Sequence, residues 1–478
     1  MSASIYARRY HAVVMNAPYI CPPTAAAREA YRARYVSAHA RFGMGVCFTE
    51  RAHELLVDGG FCAQITSNAF MKREYGKAHV EKVIPHYDLT HVIDTSGAYI
   101  PGHGTPTVIL VTRHRAPTGA DVRCVMSRRG EPETPKDHVG RMWNSILAGL
   151  GMPPFDAPAG ATPVGLVWAS ALAKLVKALA AEIATDAKLS RKDAAPIAAA
   201  WVTTAGALRL VDRIAGMMRD RASDDAEHLG RSFERVAELL PDTEWWNPDT
   251  SINPCWRHTL TDAQSARVRA AVARVVDPGA VPAKQAGTDW IGDLYQGLDD
   301  AARDEHAFCQ TPFFVRDLLL DLGVTPALAE YGDGATVLDP ACGTGHLLVG
   351  AFRRLYLRRA DPEDGAPEHT YARCARMALD QITGGDLNPV AAAIARFRLM
   401  LAYLSHADGI RHFGNVPDDL PIRVEVADAL LAERPEGYRV RALAAEVAAP
   451  PEPRSALPVP TKTPPRPLTQ LALFGGSP

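Results

Sequence analysis

The chain has 478 residues, of which 47% are hydrophobic and 22% charged, and its formal net charge at pH 7 is −2. This composition is typical of a globular protein and excludes a disordered or fibrous chain. The small net charge excludes a general basic field, so binding to nucleic acid would need a local basic patch. We find neither an apolar run of roughly 18 residues nor a signal-peptide pattern, and therefore expect a cytoplasmic protein without membrane association.

Eight cysteines are scattered along the chain without a CxxC pair or a matching histidine spacing. They are Cys21, Cys47, Cys62, Cys124, Cys255, Cys309, Cys342 and Cys374. Zinc sites and redox pairs need such spacings. We therefore expect no metal and interpret the cysteines as small core residues in a reducing compartment.

The first segment, residues 1–135, alternates short apolar strands with helices. Strands are predicted at YHAVVMN, GFCAQITS, THVIDTS and TPTVILVTR, and a helix from about Thr24 to Arg41. This alternation indicates an α/β fold whose buried strands are joined by functional loops. The first strand ends in the motif NAPY, which consists of Asn16, Ala17, Pro18 and Tyr19. Taken alone, NAPY favours an ordinary turn followed by a core tyrosine.

An arginine-rich stretch follows this motif. Residues 1–41 contain six arginines and one acidic residue, Glu29. Phosphate contact is the natural use of such a stretch. We select Arg28, Arg32 and Arg34 as candidate phosphate contacts, with a solvated helix face as the alternative for each of them.

The second segment, residues 136–288, has a different pattern. Turns and prolines accumulate from about Ala116 to Asp156, and alanine-rich helical spacing runs from about Pro163 to Leu240. A connector rich in tryptophan and proline follows, from Trp245 to Trp256. We interpret this segment as an α-helical insert and a possible recognition region.

The third segment, residues 289–449, returns to α/β patterning. An apolar strand ends at Asp339 in DPACGTG, a tight turn with Gly343 and Gly345 follows, and Asp386 ends the next strand in GGDLNP. Glycines let a ligand approach the backbone, the first helical turn offers N–H donors, and an acid at the second strand can bind ribose hydroxyls. Aspartates that merely cap turns are the alternative. The full pattern favours a nucleotide-like cofactor.

These motifs resemble those of the DNA adenine methyltransferases. The resemblance implies a Rossmann-like fold with a seven-stranded mixed sheet that binds S-adenosyl-L-methionine. It implies that the methionine part of the cofactor is lined by Asp339, Pro340, Cys342, Gly343 and Gly345, the ribose by Asp386, and the adenine by Asn388 and Pro389. It further implies that the methionine carboxylate contacts Gln310, Thr311 and Pro312 of AFCQTPFFV, and that Asp428 flanks the cofactor or the target amine.

In this family NAPY corresponds to the catalytic motif [N/D/S]PP[Y/F]. An adenine amine is a poor nucleophile because its lone pair is delocalised, so the site must hold its N–H groups with acceptors. The side-chain oxygen of Asn16 and the carbonyl of Ala17 can serve, while Tyr19 can stack on a base taken out of the duplex. Ala17 replaces a proline, and we expect the lost φ restraint to cost about 0.4–1 kcal/mol of preorganisation.

The segment from SNAFMKREY to TPTVIL resembles the methyltransferases of BREX phage-exclusion systems and their restriction-enzyme relatives. The likeness covers about residues 10–135 and 289–430. It implies that Lys72 and Arg73 lie on a loop near DNA and that the loop of residues 96–105 borders the target base. We therefore predict a site-specific N6-adenine methyltransferase in phage defence or restriction-modification, with double-stranded DNA and other defence proteins as partners.

The order of the motifs is unusual, because in these families the cofactor motif usually precedes the catalytic one. We expect a circular permutation whose ends fall between the third and fourth strands, a cut that surface loops tolerate. A fragment or a misassigned gene start is the alternative.

The last segment, residues 450–478, is rich in proline and predicted to be disordered. It contains QLALF, which resembles the peptide that docks bacterial DNA enzymes on the sliding clamp. Its candidate contacts are Gln470, Leu471, Leu473 and Phe474. A tail that folds back on its own domain is the alternative.

Two other functions remain open. A protein-glutamine methyltransferase also uses an NPPY motif to hold an amide nitrogen. A DNA-binding subunit could instead retain the fold without turnover, with Ala17 as the sign of lost activity.

Overall fold

The computed structural model describes residues 4–100, 104–119, 121–126, 141–154, 164–215, 228–240, 243–276, 288–299, 309–361, 369–407, 417 and 419–435. Within these ranges, eight strands form one mixed sheet. The strands are β1 Tyr10–Asn16, β2 Leu56–Ser67, β3 Asp88–Asp94, β4 Thr107–Arg113, β5 Arg123–Met126, β6 Val337–Asp339, β7 Ile382–Asp386 and β8 Arg423–Val426.

Helices flank this sheet and build the insert. The first segment contains α1 Ala25–Arg34, α2 Met44–Leu55 and the short α3 Gly76–Ala78. The second segment contains α4 Arg141–Leu150, α5 Val164–Asp186, α6 Arg191–Ala215, α7 Leu229–Leu239 and α8 Asp262–Val275. The third segment contains α9 Asp289–Leu298, α10 Phe313–Tyr331, α11 His346–Ala360, α12 Tyr371–Asp380 and α13 Pro389–His406.

The strand order places the strands of the first segment beside those of the third. The order is β5-β3-β4-β2-β1-β6-β7-β8. Strand β1 pairs in parallel with both β2 and β6, and β7 and β8 continue the parallel arrangement. Strand β4 runs antiparallel to β2 and β3. At the centre, Ala12 lies opposite Val337 and Val13 opposite Leu338, so the strand that leads into NAPY adjoins the strand that leads into DPACGTG.

The structure confirms a mixed α/β fold, but the predicted number of seven strands is wrong. Strand β5 is the eighth, and it pairs in parallel with β3 at the edge of the sheet, where His91 lies opposite Arg123. Within β5 only Val125 is partly buried. So short and exposed an edge strand lacks the apolar alternation by which strands are predicted, and prolines and turns surround it.

Helix α1 ends seven residues before the predicted Arg41, at Arg34. Tyr35 leaves the helix with φ −121° and ψ 132°. The backbone N–H groups of Val36 and Ser37 donate to the carboxylate of Glu50 at 3.0 and 2.9 Å. Tertiary hydrogen bonds therefore override the helical propensity of the following residues.

The helical insert packs closely on helix α9. A β-carbon added at Gly165 of α5 would lie 2.5 Å from the β-carbon of Asp293, and one added at Gly297 would lie 2.4 Å from that of Ala169. The two glycines therefore permit a backbone approach that no larger residue allows. Helix α5 is long and apolar enough to cross a membrane by length and composition alone. Here its apolar residues pack against α6 and α9.

The connector after α7 is attached to the third segment. The rings of Trp245 and Trp246 pack against Phe397 of α13, with centroids 5.5 and 5.3 Å away. Arg396 forms an ion pair with Glu244, which directly precedes the connector, and also donates to the Val424 carbonyl of β8. The insert and the edge of the sheet that carries β6, β7 and β8 therefore share contacts.

Candidate active site

The carboxyl ends of neighbouring parallel strands open into one cavity of about 1100 Å³, a volume that includes its open mouth. Asn16 ends β1, Asp339 ends β6, Asp386 ends β7 and Asp428 follows β8, and all four line the cavity. In open α/β sheets this edge is where ligands bind. The cavity is lined by eight further predicted residues, namely Ala17, Pro18, Tyr19, Gln310, Thr311, Pro340, Cys342 and Gly343.

Four predicted cofactor residues do not line this cavity, namely Pro312, Gly345, Asn388 and Pro389, the first residue of α13. Pro312 caps the start of α10. Gly345 has a φ of 86°, a left-handed conformation that favours glycine, and immediately precedes α11. Asn388 caps α13 with its side-chain oxygen, and its Nδ2 donates to the hydroxyl of Tyr295 at 3.2 Å.

The turn after β6 is tied to the end of β7. The backbone N–H of Cys342 donates to the Gly385 carbonyl at 2.9 Å, and that of Gly343 donates to Oδ2 of Asp386 at 2.7 Å. Gly343 has a φ of 53°, so the turn has a left-handed residue there as well as at Gly345. Asp386 thus fixes the turn while lining the cavity.

Two buried polar groups at the cavity have incomplete partners. Asp339 is only 1% exposed and accepts a hydrogen bond from the Ala341 N–H at 3.2 Å. Burial raises the pKa of Asp339 well above its ordinary value, and the nearby charge of Asp386 raises it further. Nε2 of Gln310 is buried and has no hydrogen-bond partner within the described residues. A ligand with a positive charge and a hydrogen-bond acceptor could pair with the Asp339 carboxylate and accept a hydrogen bond from Nε2 of Gln310.

Asn16 is held by the segment that precedes α10. Its Nδ2 donates to the Cys309 carbonyl at 3.3 Å and to Oγ1 of Thr311 at 3.1 Å. Its Oδ1 accepts a hydrogen bond from the hydroxyl of Tyr19. Burial raises the pKa of Tyr19 well above its ordinary value, so this hydroxyl remains a protonated donor. The NAPY motif of the first segment and the QTP motif of the third therefore meet at the side-chain amide of Asn16.

Tyr31 is a cavity residue that the sequence analysis missed. It lies on α1, and its hydroxyl donates to Oδ2 of Asp428 at 2.8 Å. Burial raises the pKa of Tyr31, and the Asp428 charge and hydrogen bond raise it further. Tyr31 lies on the arginine-rich helix, from which only arginines were selected as candidate contacts.

A buried ionic network, also missed, lies beneath the glycine turn. The guanidinium of Arg398 is fully buried, donates to the Thr344 carbonyl at 2.6 Å and pairs with Asp289 of α9. Asp289 also pairs with Arg316 of α10 at 2.6 Å. Burial alone raises the pKa of Asp289, but Arg316, His346 and Arg398 outweigh burial and hold that pKa below its ordinary value. The network therefore joins α9, α10 and α13 to the turn.

The predicted phosphate contacts on α1 are partly engaged within the chain. Arg28 is half-buried. Arg32 is exposed and pairs with Glu29 at 2.7 Å. The Arg34 side chain is 16% exposed and lies 3.8 Å from Glu54, and burial lowers the pKa of Arg34. Of the three, Arg32 is the most exposed residue, but its guanidinium donates to Glu29 at 2.7 Å and to the Ala40 carbonyl at 2.6 Å, and these contacts must change before it meets a phosphate.

The predicted DNA contacts after β2 are exposed. Lys72 and Arg73 lie on the surface, and Arg73 lines a second cavity of about 890 Å³. Arg41 and Tyr75 line the same cavity. Tyr19 lines both cavities, so they adjoin at the NAPY motif. Arg41 and Arg73 therefore share a cavity lining with Tyr19.

Some predicted sites lie outside the described residues. The clamp-binding candidates Gln470, Leu471, Leu473 and Phe474 are among them, as is the whole of residues 450–478. The loop predicted to border the target base is described except for residues 101–103. Within the described ranges, no three His, Cys, Asp or Glu side chains are grouped as metal ligands would be.

Comparison with known proteins finds two similarities, each to part of the chain. Residues 5–100 match the Eco57I restriction-modification methylase family. The chain is also similar to the adenine-specific methyltransferase PglX of Streptomyces coelicolor, with 42% identity over 147 residues. That alignment covers 30% of this chain and 12% of the relative, so the chain matches a small part of a much longer protein. Both similarities agree with the resemblance inferred from the motifs.

Proposed function

We propose that this protein is a site-specific DNA methyltransferase that transfers the methyl group of S-adenosyl-L-methionine to N6 of adenine, in phage defence or restriction-modification. The observation that carries the proposal is the meeting of Asn16, Asp339 and Asp386 in one cavity at the carboxyl ends of adjacent strands. The similarity of residues 5–100 to a restriction-modification methylase and the adenine-specific relative support the same chemistry.

The cavity residues fit the proposed cofactor. S-adenosyl-L-methionine carries a sulfonium, an ammonium and a carboxylate, and supplies an electrophilic methyl group when bound. Asp339 would gain a cationic neighbour, and Nε2 of Gln310 would gain an acceptor. Asp386 would bind the ribose hydroxyls, while Leu387, which lines the cavity and is 56% exposed, would cover the adenine.

The catalytic residues would hold the target amine by hydrogen bonds. Oδ1 of Asn16 and the carbonyl of Ala17 would accept its two N–H groups. As the nitrogen begins to bond to the methyl carbon it gains positive charge, so these fixed acceptors stabilise the transition state more than the ground state. The Tyr19 hydroxyl would give up its hydrogen bond to Oδ1 of Asn16, and the Tyr19 ring would stack on the extruded base. After transfer the amine loses one proton to solvent.

The DNA would approach from the side of the second cavity. Lys72 and Arg73 are exposed there, and Arg41 and Arg73 line that cavity beside Tyr19. Cationic side chains at this place would bind the phosphates that flank an extruded adenine. Within this proposal, residues 1–135 form the catalytic half, residues 289–449 the cofactor half and residues 136–288 the insert.

Transfer of label from tritiated S-adenosyl-L-methionine to unmethylated double-stranded DNA tests the proposal. We expect the wild-type protein to produce N6-methyladenine, identified by mass spectrometry of nucleosides, and Asn16→Ala to reduce the rate by a factor of about 10²–10³. Asn247→Ala is the matched control, because Asn247 caps a short turn of the connector and does not line the cavity.

Two results would contradict the proposal. One is a wild-type protein that transfers no label to DNA. The other is an Asn16→Ala variant that is as active as the wild type. Label found in protein instead of DNA would favour the glutamine methyltransferase alternative.

A further inference from the structure

We infer that residues 309–311 position the catalytic amide: the carbonyl of Cys309 and the hydroxyl of Thr311 hold the side chain of Asn16 with Oδ1 turned towards the substrate amine. This inference rests on the proposed function and adds a positioning role for Thr311. The contacts that carry it are the hydrogen bonds from Nδ2 of Asn16, at 3.3 Å to Cys309 and 3.1 Å to Thr311.

The orientation of this amide decides whether the site can work. The two ends of an asparagine side chain have nearly the same shape, but only the oxygen accepts a hydrogen bond from an amine. Rotation by half a turn would present Nδ2 of Asn16 to the substrate. Donor would then face donor, and the acceptor that stabilises the developing positive charge would be lost.

The Cys309 carbonyl determines which way the Asn16 amide points, and the Thr311 hydroxyl adds a second hydrogen bond to that amide. A main-chain carbonyl can only accept, so the flipped amide would bring two oxygens into contact at Cys309. A hydroxyl can donate or accept, so Thr311 alone would tolerate either orientation. In the orientation that the Cys309 carbonyl selects, Thr311 accepts a second hydrogen bond from Nδ2 of Asn16 and holds the side chain in place. On the other side, the Tyr19 hydroxyl donates to Oδ1 and occupies the place of an amine N–H.

This positioning role is distinct from the contact that the motif resemblance assigned to Thr311. If Thr311 binds the carboxylate of the cofactor, its hydroxyl determines cofactor affinity. If Thr311 acts through Asn16, its hydroxyl determines the rate of transfer from the bound cofactor. Thr311→Val separates the two roles, because valine keeps the branched shape and removes the hydroxyl. Thr311→Ser is the matched control, because it keeps the hydroxyl.

The first measurement compares rate with affinity. We expect Thr311→Val to lower the single-turnover rate at saturating S-adenosyl-L-methionine roughly threefold to tenfold, the loss typical of one hydrogen bond. The Kd for S-adenosyl-L-methionine, measured by calorimetry, should stay within about twofold of wild type. Thr311→Ser should restore most of the rate. A raised Kd with an unchanged rate, or no change in either, would overturn the inference.

The second measurement needs no turnover, so it separates failure of this inference from failure of the proposed function. In protein labelled with ¹⁵N-asparagine, the Asn16 side-chain signal is assigned by its loss in Asn16→Ala. Its amide protons should exchange with solvent faster in Thr311→Val than in wild type or Thr311→Ser. Equal exchange in all three would overturn the positioning role even in a protein that methylates DNA. A wild type inactive on DNA that still shows the difference would overturn only the proposed function.

Discussion

Replacement of Arg398 by methionine removes a fully buried guanidinium that donates to the Thr344 carbonyl at 2.6 Å and pairs with Asp289. Methionine is long and flexible enough to fill much of the space, so the loss is mainly polar. Removal of one partner from a buried ion pair costs about 3–5 kcal/mol, because the other charge is left uncompensated. Here the Asp289 side chain is 31% exposed and Arg316 still pairs with it at 2.6 Å, so we expect a loss below that range, about 2 kcal/mol.

Urea unfolding of the purified variant measures this loss. The free energy of unfolding should fall with little change in the m-value, since the surface exposed on unfolding stays the same. The matched control is Arg376→Met, which breaks a pair with Asp419 in which the two side chains are 38% and 78% exposed. Exposed pairs contribute little, so the control should unfold like wild type.

Affinity for the proposed cofactor measures the effect of Arg398→Met independently of stability. Without Arg398 the Thr344 carbonyl loses its buried donor, and the turn from Cys342 to Gly345 becomes less restrained. We expect the Kd for S-adenosyl-L-methionine to rise roughly tenfold, equivalent to about 1.4 kcal/mol. Equal unfolding free energies for Arg398→Met and Arg376→Met, with unchanged cofactor affinity, would refute the view that this network holds the turn.

Three further predictions concern single residues. Because the pKa of Asp339 is raised and its ionised form would pair with a cationic cofactor, affinity should rise with pH by at most about tenfold per unit until that pKa is passed. Calorimetry at several pH values should show this rise in wild type and a flat profile in Asp339→Asn. Gly345→Ala should cost about 1–2 kcal/mol of stability, because the residue has a φ of 86°. Gly334→Ala should be near neutral in the same thermal melts, because no atom lies within 4 Å of the added carbon. Burial lowers the pKa of His79 to about 3, so between about pH 6.5 and 3 the unfolded chain takes up the proton and the fold loses about 1.4 kcal/mol per pH unit through this group. Urea titrations should show a correspondingly shallower pH dependence for His79→Phe; an unchanged slope would contradict the assignment.

The grouping of polar residues at the strand ends could be predicted because their signals are local. Asn16, Asp339 and Asp386 each follow a short apolar strand and precede a turn, and neighbouring parallel strands bring such positions to one edge. The structure groups all three in one cavity. Their spacing in the chain did not matter, because the strand order places β1 next to β6.

The supporting contacts could not be predicted, because they join residues far apart in the chain. The partner of Asn16 at Thr311 is 295 positions away, and the partner of Arg398 at Asp289 is 109 positions away. No local pattern encodes such a pairing. The early end of α1 has the same cause, since Glu50 takes the N–H groups of Val36 and Ser37 that a continuing helix would have used.

The pairing of β1 with β6 also bears on how the chain folds during synthesis. His11 and Thr336, which are hydrogen-bonded beside this pair, are 325 positions apart. At a translation rate of about 5–20 residues per second, β1 waits roughly 15–65 s before β6 exists. During this interval one edge of the strand has its backbone groups open to solvent and to mispairing. Closure of so long a loop makes the centre of the sheet a late event in folding. A ribosome-associated chaperone that covers β1 should therefore raise the yield of folded protein more than one that acts after release.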